Sequence, residues 1–225
     1  GALGDDNDII VDEIIPDYDL FKGSSQQYSL IDDNYFGYIT RGCIHKCDFC
    51  GVPRLEPDFV DYRDIKPYVR NIANKYGEKA HLTLFDNNVL ASSKFNKIIN
   101  DIINLGFEKG AKYSYLSKTG SVIKKARYVD FNQGIDARLL NKEKIKLLSM
   151  IAIDPLRVAF DHISLKNQYK KCVELAIHHG IHKLSNYILY NHKDTPEDFW
   201  ERLRINIEIN SKYSKEGIKI YSFPM

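Results

Sequence analysis

No apolar run in the chain approaches the ~20 residues that a membrane-spanning helix needs. Nor does a basic start lead into the apolar stretch of a secretory signal. These absences predict a soluble, cytoplasmic protein that makes no use of a membrane. A fixed-period repeat and a low-complexity tract are also missing, which argues against a solenoid. Cysteine is scarce, with 4 in 225 residues, and three of them lie within eight residues, a poor spacing for a framework of long-loop disulfides. Acids are absent from residues 109–127 and bases from residues 1–19.

The hydrophobic share of 44% and the charged share of 28% are ordinary for a globular chain and unlike a disordered one. The length suits one large domain, or one and a half smaller ones. A formal charge of +2 identifies no partner by itself, but its distribution is uneven. Residues 109–127 hold Lys109, Lys112, Lys118, Lys124, Lys125 and Arg127, with Tyr113 and Tyr115 between them. Bases interleaved with aromatics are able to follow a phosphate backbone and stack bases, so nucleic acid is one candidate partner. The plainer reading is a solvated, mobile surface loop.

What recurs along the chain is a strand followed by a helix. Short apolar runs predict strands over Phe36–Thr40, His81–Phe85, Tyr128–Asn132, Leu156–Asp161, Ser185–Tyr190 and Ile218–Ser222. Phe95, Ile98, Ile99, Ile102 and Ile103 share one helical face, as do Tyr169, Cys172, Val173, Ala176 and Ile177. Thr195-Pro196-Glu197-Asp198 reads as a helix start, with Phe199, Leu203 and Ile207 on the buried side. After Asn141, Ile145, Leu148 and Ala152 mark another buried side. Six such units in a row predict an α/β fold with parallel strands and right-handed crossovers. A doubly wound sheet and a barrel fragment both fit that alternation. Residues 1–27 stand outside it and read as an acidic connector or the tail of an upstream unit. Residues 28–225 form the main domain, with an insertion at 108–127 longer than the usual connection.

The stretch Arg41-Gly42-Cys43-Ile44-His45-Lys46-Cys47-Asp48-Phe49-Cys50 carries the chemistry. Its C-x3-C-x2-C spacing offers three thiolates from one loop at the end of a predicted strand. A cubane iron–sulfur cluster takes four ligands, so three cysteines leave one iron open. Zinc held by the three cysteines and His45 is an alternative, although no second cysteine pair follows. A closed electron-transfer centre would need Cys172, which sits on an apolar helix face where cysteine is usually a small buried hydrophobe.

This loop, with Phe49 just before its last cysteine, resembles the signature of radical S-adenosylmethionine enzymes, and the likeness extends over roughly residues 28–225. The resemblance implies a partial (β/α)6 TIM-type barrel. It also implies a [4Fe–4S] cluster on Cys43, Cys47 and Cys50, with S-adenosylmethionine chelated to the open iron. The reduced cluster would cleave that cosubstrate to a 5′-deoxyadenosyl radical, with the electron drawn from a flavodoxin or ferredoxin. By position in the motifs, Phe49 would meet the adenine. Asp86, Asn87 and Asn88 would take the place of the Gly-Gly-Glu-type motif that binds the methionine amino group. Gln133, Asp136 and Arg138 follow the third strand, where Arg138 would pair a carboxylate and the other two would serve the ribose or substrate. For Asp136 and Arg138 a local ion pair is the competing reading. Asp161-His162 and Tyr190-Asn191-His192 would point into the same mouth. His178 and His179 read as a helix C-terminal cap.

Gly51-Val52-Pro53-Arg54 resembles the corresponding run of methylthiotransferases. The cluster loop combined with Asp86-Asn87-Asn88 and Asn132-Gln133-Gly134 is more similar to uncharacterised radical proteins with an upstream cobalamin-binding-like domain. Residues 1–21 resemble the connector leaving such a domain, which keeps cobalamin open as a cofactor that this chain itself does not support. The expected activity is hydrogen abstraction from a substrate the sequence does not name, with methyl or sulfur transfer among the reactions. The competing class is a noncatalytic iron–sulfur or zinc module in a nucleic-acid-associated complex.

Overall fold

A computed structural model describes residues 14–21, 29–117, 119–190 and 192–225. Most of the acidic connector, together with Lys118 and Asn191, lies outside the described residues. The fold is mixed α/β. Strands β1 (Asn34–Gly37), β2 (His81–Leu84) and β5 (Val129–Phe131) form one parallel sheet in that order. Strands β6 (Leu156–Ala159), β7 (Lys183–Ile188) and β8 (Lys219–Pro224) form a second. Isolated parallel bridges, Val129 to Ile153 and Ile135 to Val158, link the two. Among the described residues β1 and β8 do not pair, so the sheet stays open.

Among the described residues seven α-helices connect and cover the strands: α1 (Ser29–Asp33), α2 (Val52–Leu55), α3 (Ile65–Tyr76), α4 (Phe95–Asn104), α5 (Lys142–Leu148), α6 (Lys166–His178) and α7 (Pro196–Lys212). On α4 the expected face is buried through Phe95, Ile98, Ile99 and Ile102, and on α6 through all five predicted residues. Asn141 caps α5 by accepting from the Lys144 N–H. Thr195 and Asp198 form a reciprocal capping box at the start of α7.

Three expectations change. First, β1 ends at Gly37 rather than Thr40, because the Ile39 and Thr40 N–H groups donate to the Asp86 carboxylate instead of a strand partner. Second, α7 buries Arg202, Ile205, Asn206 and Ile209, leaving Ile207 exposed. The polar residues turn inward because each finds partners there: Arg202 reaches the Phe160 and Leu189 carbonyls, and Asn206 joins Tyr169 to Ser222. An apolar-only reading of the helix face misses such satisfied polar anchors. Third, the 108–127 insertion contains an antiparallel hairpin, β3 (Lys112–Leu116) with β4 (Val122–Ala126). Tyr113 donates to the Glu78 carbonyl, Lys125 pairs with Asp33 and Arg127 with Glu78, tying its base to the body.

Tyr18, within the expected connector, packs into the core. Its hydroxyl donates to the Asn34 carbonyl and accepts from the Phe36 N–H, occupying the free edge of β1. An edge covered in this way is closed to further strands.

Candidate metal-cluster pocket

The cysteine loop leaves β1 through Gly42, whose φ of +68° suits glycine. A Cβ there would stand 2.3 Å from the Asp58 carbonyl oxygen, so no side chain fits. Glu56 gathers the loop: its carboxylate accepts from Gly42 N–H at 2.7 Å and from Asn87 Nδ2 at 2.9 Å, and pairs with Arg41 at 2.7 Å. Sequence reasoning missed Glu56, which carries no motif of its own.

Asp86 is a correction to the expected cosubstrate clamp. Its side chain is fully buried and lies outside the pocket lining. Oδ1 accepts from Ile39 N–H, Thr40 N–H and Thr40 Oγ1 at 3.0, 2.5 and 2.7 Å. Asp86 therefore fastens the end of β2 to the segment entering the cysteine loop. Burial pushes its carboxyl up to about 6, against those hydrogen bonds.

The other residues expected to hold the cluster and its cosubstrate line one cavity of about 200 Å³: Cys43, Cys47, Cys50, Phe49, Asn87, Asn88, Gln133, Asp136, Arg138 and Asp161. They come from the cysteine loop and from the segments after β2, β5 and β6. Their convergence follows from parallel strands, which deliver every such segment to the same end of the sheet. The three thiols are half-buried and form no disulfide. Cys43 Sγ accepts from His45 N–H at 3.4 Å and from Asn88 Nδ2 at 3.5 Å. Asn88 Nδ2 also lies 3.4 Å from Asp136 Oδ2.

Asp136 and Arg138 form the local ion pair, with Nε at 2.7 Å from Oδ1 and Nη2 at 2.9 Å from Oδ2. The Arg138 fork is therefore taken by Asp136 rather than presented free to a ligand. Arg138 holds the Asp136 carboxyl below the usual carboxylate range, against the opposing effect of burial. Burial raises the Cys47 thiol, and the Arg138 charge opposes it. Burial likewise raises Asp161, again opposed by Arg138. Gly134 (φ +82°) turns the chain past the Tyr187 ring, which a Cβ would meet at 3.3 Å. Tyr187, Val52, Leu165 and Met225 also line the cavity. Val52 belongs to the run that follows the cysteine loop, while Tyr187, Leu165 and Met225 are ordinary residues that no motif singles out.

Three other expected residues stand outside the lining. His162 caps a short 3-10 turn through Ser164, and Tyr190 packs on Phe199. His192 meets the loop from outside, with Nε2 2.9 Å from Asp48 Oδ1 and its ring edge-on to Phe49. His178 and His179 bond the Glu174 and Leu175 carbonyls within their own helix, as a C-terminal cap does. Cys172 is buried in the core and its thiol is pushed up to about 12 by burial, the environment of an inert hydrophobe.

Among the described residues, no three His, Cys, Asp or Glu side chains are grouped to hold a single metal ion. His45 Nε2 lies 2.8 Å from Asp136 Oδ2 without hydrogen-bond alignment, turned to that carboxylate. That donor set does not fit a closed mononuclear zinc site. A cubane spreads its cysteine ligands over separate irons, and three half-buried thiols on one loop are the donors it would take. The cavity also offers a buried amide oxygen, Asn88 Oδ1, with no partner of its own. No helix among the described residues is long and apolar enough to cross a membrane. No protein-family model matches the chain, and no curated protein matches it.

Proposed function

We propose that this chain is the core of a radical S-adenosylmethionine enzyme, built as a partial (β/α)6 barrel. One observation carries the reading: all three cysteines of the loop line one cavity with Phe49, Asn88, Gln133, Asp136, Arg138 and Asp161. Cys43, Cys47 and Cys50 would hold a [4Fe–4S] cluster, and the polar residues would hold S-adenosylmethionine against it. When bound, the reduced cluster would supply the one electron that breaks the sulfonium C–S bond, giving methionine and a 5′-deoxyadenosyl radical able to abstract hydrogen.

The protein's own part is positional. Glu56 and Asp86 fix the loop and its entry, so the thiols are presented from a preformed turn. Asn88 brings an amide to Cys43 and keeps its oxygen free for a ligand donor such as an ammonium group. Asp136, held ionised by Arg138, offers an acceptor for hydroxyls. Phe49 and Tyr187 supply flat apolar surface at the same cavity.

Anaerobic reconstitution with iron and sulfide tests this. Reduction in the presence of S-adenosylmethionine should yield 5′-deoxyadenosine. Replacing Cys43, Cys47 and Cys50 together by Ala should remove both the bound iron and the product. A fully iron-loaded chain that gives no 5′-deoxyadenosine would refute the proposal.

The exposed hairpin favours a second reading, a noncatalytic iron–sulfur module on nucleic acid. Lys112 and Lys124 share its outer face with Ser114 and Ala126, and all four are exposed. Iron binding without cosubstrate cleavage, together with salt-sensitive binding to RNA or DNA, would favour it.

A further inference from the structure

The cavity of about 200 Å³ at the cysteines is not the largest. A second, of about 610 Å³, lies against the other stretch of the sheet and shares no lining residue with the first. Its walls are alternate strand positions. In β2, His81 and Thr83 line it while Leu82 and Leu84 belong to the opposite, apolar core. A parallel strand covered on both faces reads as a continuous apolar run, so this alternation marks a face kept polar.

The chamber carries no spare charge. Arg157 pairs with Asp130, Lys183 with Asp154 and Lys125 with Asp33. Burial pushes the His81 imidazole down to about 4, so it is neutral at physiological pH. An ionic ligand would have to break one pair to gain another, which favours an uncharged occupant. Thr83 Oγ1 is spent on Asn34 Oδ1, to which it donates at 3.1 Å. Asn132 is different. It lines the chamber half-buried, and among the described residues its side-chain amide has no hydrogen-bond partner. Its backbone is fixed, with the N–H donating to the Leu84 carbonyl at 2.9 Å and the carbonyl accepting from the Tyr187 hydroxyl at 2.6 Å. Only the amide is left open.

Beside that amide stands a row of rings. Tyr18 and Phe36 lie 23° from parallel with centres 6.3 Å apart, and Phe36 and Phe85 lie 16° from parallel at 5.9 Å. Phe36 and Phe85 are half-buried and line the chamber. Phe85 and Asn132 are the next residues along the paired strands β2 and β5, so the row ends at the amide. His81 stacked on Tyr128, with centres 3.5 Å apart, adds another flat wall. Rings take the face of a flat molecule, and a primary amide, with two donors and an acceptor, takes its polar edge. A sugar, polar all round, would turn hydroxyls onto the rings. A purely apolar molecule would bury the amide unpaired.

We propose that this chamber binds an uncharged nucleoside, its base seated against Phe36 and Phe85 with one edge on the Asn132 amide. The volume suits a ligand of that size. The site is separate from the cysteine cavity and does not depend on the cluster chemistry proposed above.

Calorimetric titration of the full chain, prepared without iron, with adenosine, guanosine, cytidine and uridine tests it. Saturable binding of at least one of the four is expected. Asn132→Ala leaves the backbone bonds of that residue in place and should weaken binding about tenfold, the loss of the amide's hydrogen bonds. Phe85→Leu keeps an apolar side chain but removes the ring, and should weaken binding about fivefold or more. The matching 5′-monophosphate should bind no more tightly than its nucleoside, because each cation of the chamber already has a carboxylate. No saturable binding of any nucleoside would overturn the proposal, as would an affinity that Asn132→Ala leaves unchanged or a monophosphate that binds tenfold more tightly. Binding lost in Arg138→Ala but kept in Asn132→Ala would put the nucleoside in the cysteine cavity, which overturns this site and leaves the cluster proposal standing.

Discussion

Arg202 ties the C-terminal ends of two strands to the loop that meets Asp48 and Phe49, and removing its partner should be expensive. The guanidinium is fully buried and donates to the Phe160 and Leu189 carbonyls at 2.8 Å each. Its countercharge is Asp194, equally buried. Burial pulls the guanidinium below its ordinary pKa, the mark of a desolvated charge. Asp194→Ala leaves that charge uncompensated, at a cost of about 3–5 kcal/mol. Arg202→Met leaves a buried carboxylate and two carbonyls unpaired, a comparable loss at about 1–3 kcal/mol per group. The double variant removes both charges and retains only the carbonyl cost. It should therefore lose about 3 kcal/mol less than the sum of the singles. Urea unfolding of the four proteins reads this directly, and each single should melt roughly 6–20 °C lower for a chain of this size. The same singles should loosen His192 and Lys193, which hold Asp48 between two of the cysteines, and so raise the rate of iron loss to a chelator. Strictly additive losses, or singles costing under about 1 kcal/mol, would show that the pair is not the anchor described.

Cys172→Ala should retain the full iron content and lose about 1–2 kcal/mol from a small cavity, by iron assay and denaturation; iron loss would make it a ligand. Because Asp86 has a folded pKa of about 6, above the unfolded carboxyl near 4, the folded state binds the extra proton. Its contribution to stability should accordingly fall as pH rises from about 4 to about 6, and Asp86→Asn should flatten that stretch of the profile. A wild-type stability that climbs over the same window, and is unchanged by Asp86→Asn, would contradict this. Arg138→Ala should weaken S-adenosylmethionine binding by about tenfold while sparing the iron, since it removes the group that holds Asp136 in place and leaves all three thiol ligands present. Equal binding in an equilibrium assay would remove Arg138 from the site. Charge reversal at Lys112 and Lys124 should abolish any salt-sensitive binding of RNA or DNA, measured by salt titration; no binding to the unaltered chain at low salt would leave the hairpin a surface arm.

Local patterns carried much of this protein. Cys43, Cys47 and Cys50 are separated by three and two intervening residues in one loop, so their proximity is a property of the chain itself. The five-residue faces of α4 and α6 and the cap at Thr195 follow from helical periodicity and end chemistry, and all appear where those rules place them. The six strands were visible as apolar runs, with boundaries off by a few residues. What packing decided was the use of polar side chains. Asp86 looked like a ligand clamp because it follows a strand, but whether a strand-end carboxylate turns to the cavity or to its own backbone depends on the neighbouring strand's unpaired N–H groups. No apolar pattern marks Arg202 and Asn206 as buried, since nothing local reveals the Tyr169 hydroxyl and the Phe160 carbonyl waiting 37 and 42 residues away in the chain. Glu56 and Tyr187 are likewise placed by long-range contact. Periodicity reports which residues share a face, and only tertiary structure reports which partners meet that face.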